Sequence, residues 1–234
     1  MPGTGKGPES RAAHNGAMVE ELRARLRALP SFPAELPPFD PEAVPPTPEQ
    51  LFLVWLDEAV RAGVLAAHAA TLATVDATGP SARVLILKDV GAEGWMIATP
   101  GDSRPGAAMA ASGRAALSFF WPALGRQVRV EGEVQRADDA EAAADFLARP
   151  AEARATALVG RGTAVLGDDA AFAAALADAR ARIAADPGLV PESWALWRIA
   201  PSSVEFWQAA HDRAHRRLRY RRHEGVWLRE RLWP

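Results

Sequence analysis

The side chains best suited to chemistry in this sequence are cations and hydroxyls at what read as strand ends and turns: Arg83, Lys88, Thr99, Ser103, Arg104 and Arg217. Guanidinium, ammonium and hydroxyl groups gathered from separate strands can grip a phosphate without a glycine-rich loop. Arg83 and Lys88 stand five positions apart. On a straight strand they face opposite ways, so they reach one ligand only from its two ends or through a bend. Taken singly, each reads as a surface charge; together they outline an anion site. His211-Asp212-Arg213-Ala214-His215 has two histidines at i and i+4, a spacing that a helix turns into a zinc pair. That segment lies between strand-like runs and no third ligand stands out, so it reads as a polar loop and no metal is expected. The chain has no GxSxG, no Walker A and no GxGxxG opening a helix after a strand. Gly3-Thr4-Gly5-Lys6-Gly7 is glycine-rich but has no strand before it. The lack of cysteine excludes disulfides, thiolate nucleophiles and cysteine-based zinc sites.

The elements that must position these groups are mostly strands. Residues 1 to 16 read as disordered, and 17 to 29 as a short amphipathic helix with Val19, Leu22, Leu26 and Leu29 on one stripe. Pro30 to Pro48 holds eight prolines, which remove backbone donors and make it an extended arm that must wrap over something. Thr47-Pro48-Glu49-Gln50 has the form of a capping box opening a helix over Leu51 to Ala62, which Gly63 ends. Strands are expected at 70–75, 82–90, 95–99, 116–121, 127–137, 194–200, 203–208, 217–222 and 226–232. Helices are expected at 138–148 and 169–185, the second with Phe172, Leu176 and Ile183 on one face and Asp168 or Asp169 as cap. Short, regularly spaced strands with few helices between them imply a mainly β fold, a closed or nearly closed β-barrel with peripheral helices.

Composition narrows the function. A chain of 234 residues, 49% hydrophobic and 24% charged, suffices for one large domain with a core. The expected division is an N-terminal tail, helix and arm over 1–48 and a barrel domain over 49–234. A net charge of -2 argues against bulk nucleic-acid backbone binding, although Arg213 to Arg231 is locally arginine-rich. No secretory h-region and no long apolar run occurs, so a cytoplasmic protein with no membrane partner is expected.

Three pieces of the chain are distinctive: Arg83-Val84-Leu85-Ile86-Leu87-Lys88, Gly125-Arg126-Gln127-Val128, and Val204-Glu205-Phe206-Trp207-Gln208 followed by Arg213-Ala214-His215-Arg216-Arg217. On these, and from Leu51 to Pro234, the chain resembles the pyridoxamine 5'-phosphate oxidases. The ending Arg231-Leu232-Trp233-Pro234 is also similar to the family's C-terminus. The resemblance implies an FMN-binding split barrel, a homodimer with FMN at the subunit interface, and oxidation of pyridoxine or pyridoxamine 5'-phosphate to pyridoxal 5'-phosphate by O2, releasing hydrogen peroxide. It implies that Arg83, Val84, Leu85, Ile86, Leu87 and Lys88 line the flavin, with Ala98, Thr99, Ser103 and Arg104 near its phosphate. Gln127, Trp207 and Arg217 would complete the cofactor site. Lys88, Arg149, Arg213 and His215 would face a small aromatic substrate, Arg213 and His215 as the catalytic pair.

The chain departs from the family at several of these positions. Asp145 replaces a tyrosine of the phosphate pocket and Ala153 a serine; Pro105 stands for a lysine, and Gly162-Thr163 for a Gln-Ser pair. A carboxylate at 145 repels a substrate phosphate unless it pairs with Arg149 or turns away. Two other readings therefore stand beside the first: an FMN oxidase of the phenazine-biosynthesis type acting on a different, non-phosphorylated aromatic substrate, and a non-catalytic split-barrel protein that binds flavin or pyridoxal phosphate.

Overall fold

A computed structural model of the chain describes residues 8–160, 162 and 164–234; Gly3-Thr4-Gly5-Lys6-Gly7 and Thr163 lie outside the described residues. The described residues form eight strands and six α-helices. They are α1 (Pro8–Ala28), α2 (Pro48–Arg61), β1 (Ala69–Asp76), β2 (Gly79–Gly91), β3 (Gly94–Ala98), α3 (Arg104–Ser112), β4 (Arg114–Trp121), β5 (Arg126–Arg136), α4 (Asp139–Leu147), α5 (Ala151–Val159), α6 (Asp169–Ala185), β6 (Leu196–Gln208), β7 (Arg216–His223) and β8 (Val226–Leu232). The antiparallel order is β3-β2-β1-β4-β5-β6-β7-β8, and a further β3–β6 pairing closes the first six strands into a barrel. Closure removes the exposed edges that an open sheet of this length would leave.

Strand β6 makes closure possible by serving two neighbours. Leu196 to Ile199 pair with β3, Ser203 to Gln208 pair with β7, and β5 runs along the opposite edge of both parts. The switch falls where Glu131 pairs with Ser203 but Gly132 pairs with Pro201, leaving Ser202 as an extra residue. Such a bulge bends a strand and increases its twist. The two strands expected at 194–200 and 203–208 are therefore one. A Cβ at Gly132 would lie 2.1 Å from the Ala200 carbonyl oxygen, so a Gly132→Ala variant must push the strands apart. It is expected to cost about 1–3 kcal/mol or more, read as a lower midpoint in urea denaturation.

The barrel core is aromatic, and α2 plugs it. Phe52 and Trp55 are buried; Phe52 packs edge-on to Trp95 and Phe119, and Trp55 to Phe39 and Phe206. Trp121 is satisfied inside this cluster by donating Nε1–H to the Ala67 carbonyl at 2.9 Å. The proline-rich arm straps β6 to β8. Its carbonyls at Phe39, Val44 and Pro45 accept from Arg216, Arg229 and the Tyr220 hydroxyl, and Ala34 carbonyl binds His211. Since prolines cannot donate, the arm's free carbonyls are what it offers.

Several local expectations are corrected. Residues 8–16 are helical; Pro8 occupies a first-turn position, and Glu9 to Ala13 are adequate helix formers. Thr47 keeps the extended backbone of a cap, but its Oγ1 is buried without a partner, so no capping box forms. Helices α3 and α5 were not expected: α3 opens Arg-Pro-Gly, which reads as a turn, and alanine-rich α5 lacks apolar periodicity. On α6 the inward face is Ala179 and Ile183, with Leu176 partly buried, whereas Phe172 is 40% exposed.

Candidate active site

The candidate residues fall into two groups on different parts of the barrel wall. The first is built around Lys88, where β2 bulges: Leu87 pairs with Ile97 and Asp89 with Met96, leaving Lys88 as the extra residue. This supplies the bend that the five-residue spacing called for. Arg83, Leu85 and Leu87 alternate with the more exposed Ala82, Val84 and Ile86, so the strand presents two distinct faces. Arg83 donates Nη2–H to the Ser81 hydroxyl at 3.1 Å, and its Nε is buried without a partner.

Lys88 Nζ lies 2.9 Å from Asp145 Oδ1, and Asp145 Oδ2 accepts from Trp194 Nε1 at 3.2 Å. Trp194 carries the Arg149 guanidinium over its ring at 4.6 Å. Arg149 Nη2 donates to the Ala153 carbonyl at 3.3 Å, and Arg149 Nε is buried without a partner. Asp145 thus neither pairs with Arg149 nor turns away. It stays in the pocket and pairs with Lys88, because α4 brings it against the end of β2 while Phe146 anchors the helix beside Trp194.

Next to this group, Thr99 and Ser103 share a hydroxyl–hydroxyl bond of 3.0 Å after Ala98 ends β3. Ser103 caps α3 by accepting from Gly106 N–H, and Pro105 at the first turn has no N–H to offer. Arg104 donates to Asp76 at 2.8 Å and to the Thr78 hydroxyl at 2.8 Å. These bonds, the Arg104 guanidinium first, hold the Asp76 carboxyl well below the usual carboxylate range. Ser103, Arg104 and Trp194 line one cavity of about 600 Å³, with Gly160 and Gly162 on its rim.

The second group lies where β6 ends. Gln127, Trp207 and Arg217 stand opposite one another on β5, β6 and β7, so they form a single row on one face. Gln127 is 3.5 Å from the Ser118 hydroxyl. Arg217 donates Nε–H to buried Glu205 at 2.8 Å and Nη1–H to the Trp233 carbonyl at 2.8 Å. The Glu205 hydrogen bond raises the Arg217 pKa, fixing its charge.

Trp207 also packs against His215, with ring centroids 4.8 Å apart, and against Phe32 of the arm at 5.7 Å. His215 Nδ1 accepts from the Ala210 N–H at 3.1 Å, which leaves the proton of the neutral ring on Nε2. Arg213 has φ +65°, a left-handed backbone uncommon for a side chain of its size. Arg213, His215, Ser31 and Phe32 line a cavity of about 410 Å³. His211 is used to hold the arm, and among the described residues no group of three acidic, histidine or cysteine side chains is placed to bind a metal.

Sequence reasoning missed Trp194, Asp76, Glu205 as a buried counter-charge, and Phe32. Only the tryptophan carried a signal, as an aromatic beside the start of a strand. No described helix is long and apolar enough to cross a membrane.

With this geometry in hand, the likeness to known proteins is extensive. Residues 56–208 match the family profile described as pyridoxamine 5'-phosphate oxidase, and 194–234 match the pyridoxine 5'-phosphate oxidase C-terminal dimerisation region. A pyridoxine/pyridoxamine 5'-phosphate oxidase of Pseudomonas paraeruginosa is 42% identical over 193 residues, 81% of this chain and 90% of the relative. That of Anaeromyxobacter dehalogenans is 42% identical over 188 residues, 80% of this chain and 95% of the relative. Among solved structures, PhzG from Burkholderia lata, in complex with tetrahydrophenazine-1-carboxylic acid, superposes with a TM-score of 0.78 at 28% identity, covering 88% of this chain and all of that one. An FMN-binding protein from Nostoc punctiforme shares the fold at a TM-score of 0.66 and 18% identity, over 82% of this chain. The barrel, the row on β5 to β7 and the C-terminal motif belong together: this chain is a member of the pyridoxamine 5'-phosphate oxidase family, a family of FMN-dependent oxidoreductases with a split-barrel fold.

Proposed function

We propose that this chain works as a homodimeric FMN-dependent oxidase of a small aromatic substrate, with each active site assembled from both subunits. The observation that carries the dimeric site is the separation of the two residue groups. The Lys88–Arg149 group borders the start of β6 and the Trp207–Arg217 row its end; Val84 of β2 and Glu205 of β6 share one cross-strand row through β1, β4 and β5, four strand spacings or roughly 19 Å around the barrel wall. A substrate ring held by Lys88 and Arg149 is then out of reach of Trp207 and Arg217 of the same subunit. Two copies placed about a twofold axis bring the first group of one against the second group of the other, twice over. The outer face between the groups carries Val75, Val84, Ile86 and Phe120, each at least 44% exposed, an apolar surface suited to a second copy.

The residues fit an anionic, aromatic cofactor. Arg83 holds a buried, unpartnered Nε, Thr99 and Ser103 offer hydroxyls beside the start of a helix, and Trp207 gives an apolar wall. In this reading Arg83 to Lys88, Ala98, Thr99, Ser103 and Arg104 come from one subunit, and Gln127, Trp207 and Arg217 from the other. When bound, FMN supplies the redox chemistry, taking two electrons from the substrate and passing them to O2 to give hydrogen peroxide. Arg213 and the Nε2–H of His215 orient the amine or alcohol substituent, and Lys88 and Arg149 hold the far end of the substrate. The dimerisation-region match and the naming of the relatives support this assignment.

Two substrate classes follow from different residues. Retention of Lys88, Arg149, Arg213 and His215 supports pyridoxine or pyridoxamine 5'-phosphate, converted to pyridoxal 5'-phosphate. The Lys88–Asp145 ion pair and Ala153 favour an aromatic substrate without phosphate. The test is to record the flavin absorbance of purified protein and its peroxide production with both phosphorylated vitamers and with a reduced phenazine carboxylic acid. Protein that stays colourless with added FMN contradicts the oxidase reading, and flavin without peroxide on any of them leaves a binding protein.

A further inference from the structure

We propose that the subsite formed by Lys88, Asp145, Arg149 and Trp194 takes a singly charged carboxylate on the aromatic substrate and rejects a phosphate ester, with Asp145 as the residue that sets this preference. The inference rests on the oxidase reading and names the substrate class for that same site.

The subsite selects by its charge and by how firmly its charges are held. The side chains of Lys88 and Asp145 are only 24% and 15% exposed, so their 2.9 Å contact is shielded from water and stronger than a surface pair. Both carboxylate oxygens of Asp145 are engaged, one by Lys88 and one by Trp194 Nε1, so swinging away from a ligand means breaking both contacts. Lys88 is therefore spoken for. Arg149 is the cation of the cluster without an acidic partner among the described residues; it is braced on the Trp194 ring and has a buried Nε lacking any hydrogen bond. The cluster thus carries one net positive charge.

A phosphate monoester brings about -1.5 to -2 at neutral pH, more than this cluster can balance, and Ala153 supplies no hydroxyl to help. A carboxylate brings one charge and two oxygens, the shape that an arginine fork binds through two parallel hydrogen bonds. Trp194 is the member of the cluster that lines the cavity of about 600 Å³ with Ser103 and Arg104, so a ligand in that space touches the cluster through the Trp194 ring, over which Arg149 lies.

The test uses binding instead of turnover. Flavin-loaded protein is titrated with phenazine-1-carboxylic acid and with pyridoxal 5'-phosphate, following tryptophan fluorescence and melting temperature. Wild type is expected to prefer the carboxylate. Asp145→Asn keeps an oxygen for Trp194 Nε1 and removes the charge. Repulsion acts on each ligand charge, so its loss favours the phosphate ester more, and the affinity ratio is expected to move at least about tenfold toward pyridoxal 5'-phosphate. Asp145→Ser serves as the second variant, with retained flavin absorbance showing that each folds. Wild type that prefers pyridoxal 5'-phosphate, or a ratio unmoved by both variants, overturns the assignment. The same titrations are run without FMN, so failure to bind flavin, which would sink the oxidase reading, is distinguishable from failure of the subsite.

Discussion

An Arg217→Ala variant is expected to lose most of its affinity for FMN. In the proposed composite site this guanidinium would reach the cofactor from the far subunit, and a hydrogen bond from a charged donor is worth about 1.5–3 kcal/mol, or roughly 10- to 150-fold in Kd. The protein holds the group in readiness: Glu205 fixes Nε, the Trp233 carbonyl fixes Nη1, and Nη2 has no protein partner among the described residues. Removing the side chain also strands Glu205, which is 7% exposed and keeps only Arg129 at 3.6 Å. Part of the effect is then on folding. Arg217→Lys separates the two, since an ammonium can still neutralise Glu205 but cannot bond in two directions within one plane. It is expected to restore the melting temperature of the flavin-free protein while leaving FMN affinity, read by quenching of flavin fluorescence, well below wild type.

Arg213→Ala is expected to have the largest effect on turnover, with flavin retained. Positioning the reacting substituent is worth about 10²-fold for an ångström of misplacement, and Arg213 is set in place by its backbone. Its left-handed φ is maintained by an N–H bond to the Ala210 carbonyl at 3.0 Å, and the neighbouring Ala210 N–H fixes His215. The loop therefore couples the two residues, and Arg213→Ala and His215→Ala are expected to be less than additive in kcat. Both should bind FMN as wild type does. Unchanged turnover in Arg213→Ala would show that this division of labour is wrong.

The strands were legible because side chains alternating in and out along a barrel wall leave a period of two in the sequence, as along Arg126 to Gly132. The closure was not. Pro201-Ser202-Ser203 has turn chemistry, and only pairing with β3 and β7 on either side of the bulge makes β6 one strand. The same contrast holds at the site. The spacing of Arg213, His215 and Arg217 is local and could be read directly, whereas Lys88 and Asp145 are brought together by the packing of α4 and carry no joint signal in the chain. Arg126, part of a quoted motif, is buried against Trp55 and paired with Glu58, so its role is to tie α2 to the barrel. That Gln127, Trp207 and Arg217 form one row depends on register, which is set by the hydrophobic face of each strand and was beyond reach without the pairing.

If two subunits build each site, a mixed dimer reveals it. In the proposed site Arg83→Ala would damage one half and Arg217→Ala the other, so homodimers of either variant should hold little FMN. When the two are co-expressed with different affinity tags and the mixed dimer is isolated, one of its sites carries both lesions and the other carries none. The mixed dimer is expected to recover roughly half of the wild-type flavin content, as twofold symmetry requires. A mixed dimer as empty as its parents would contradict a site built by two subunits.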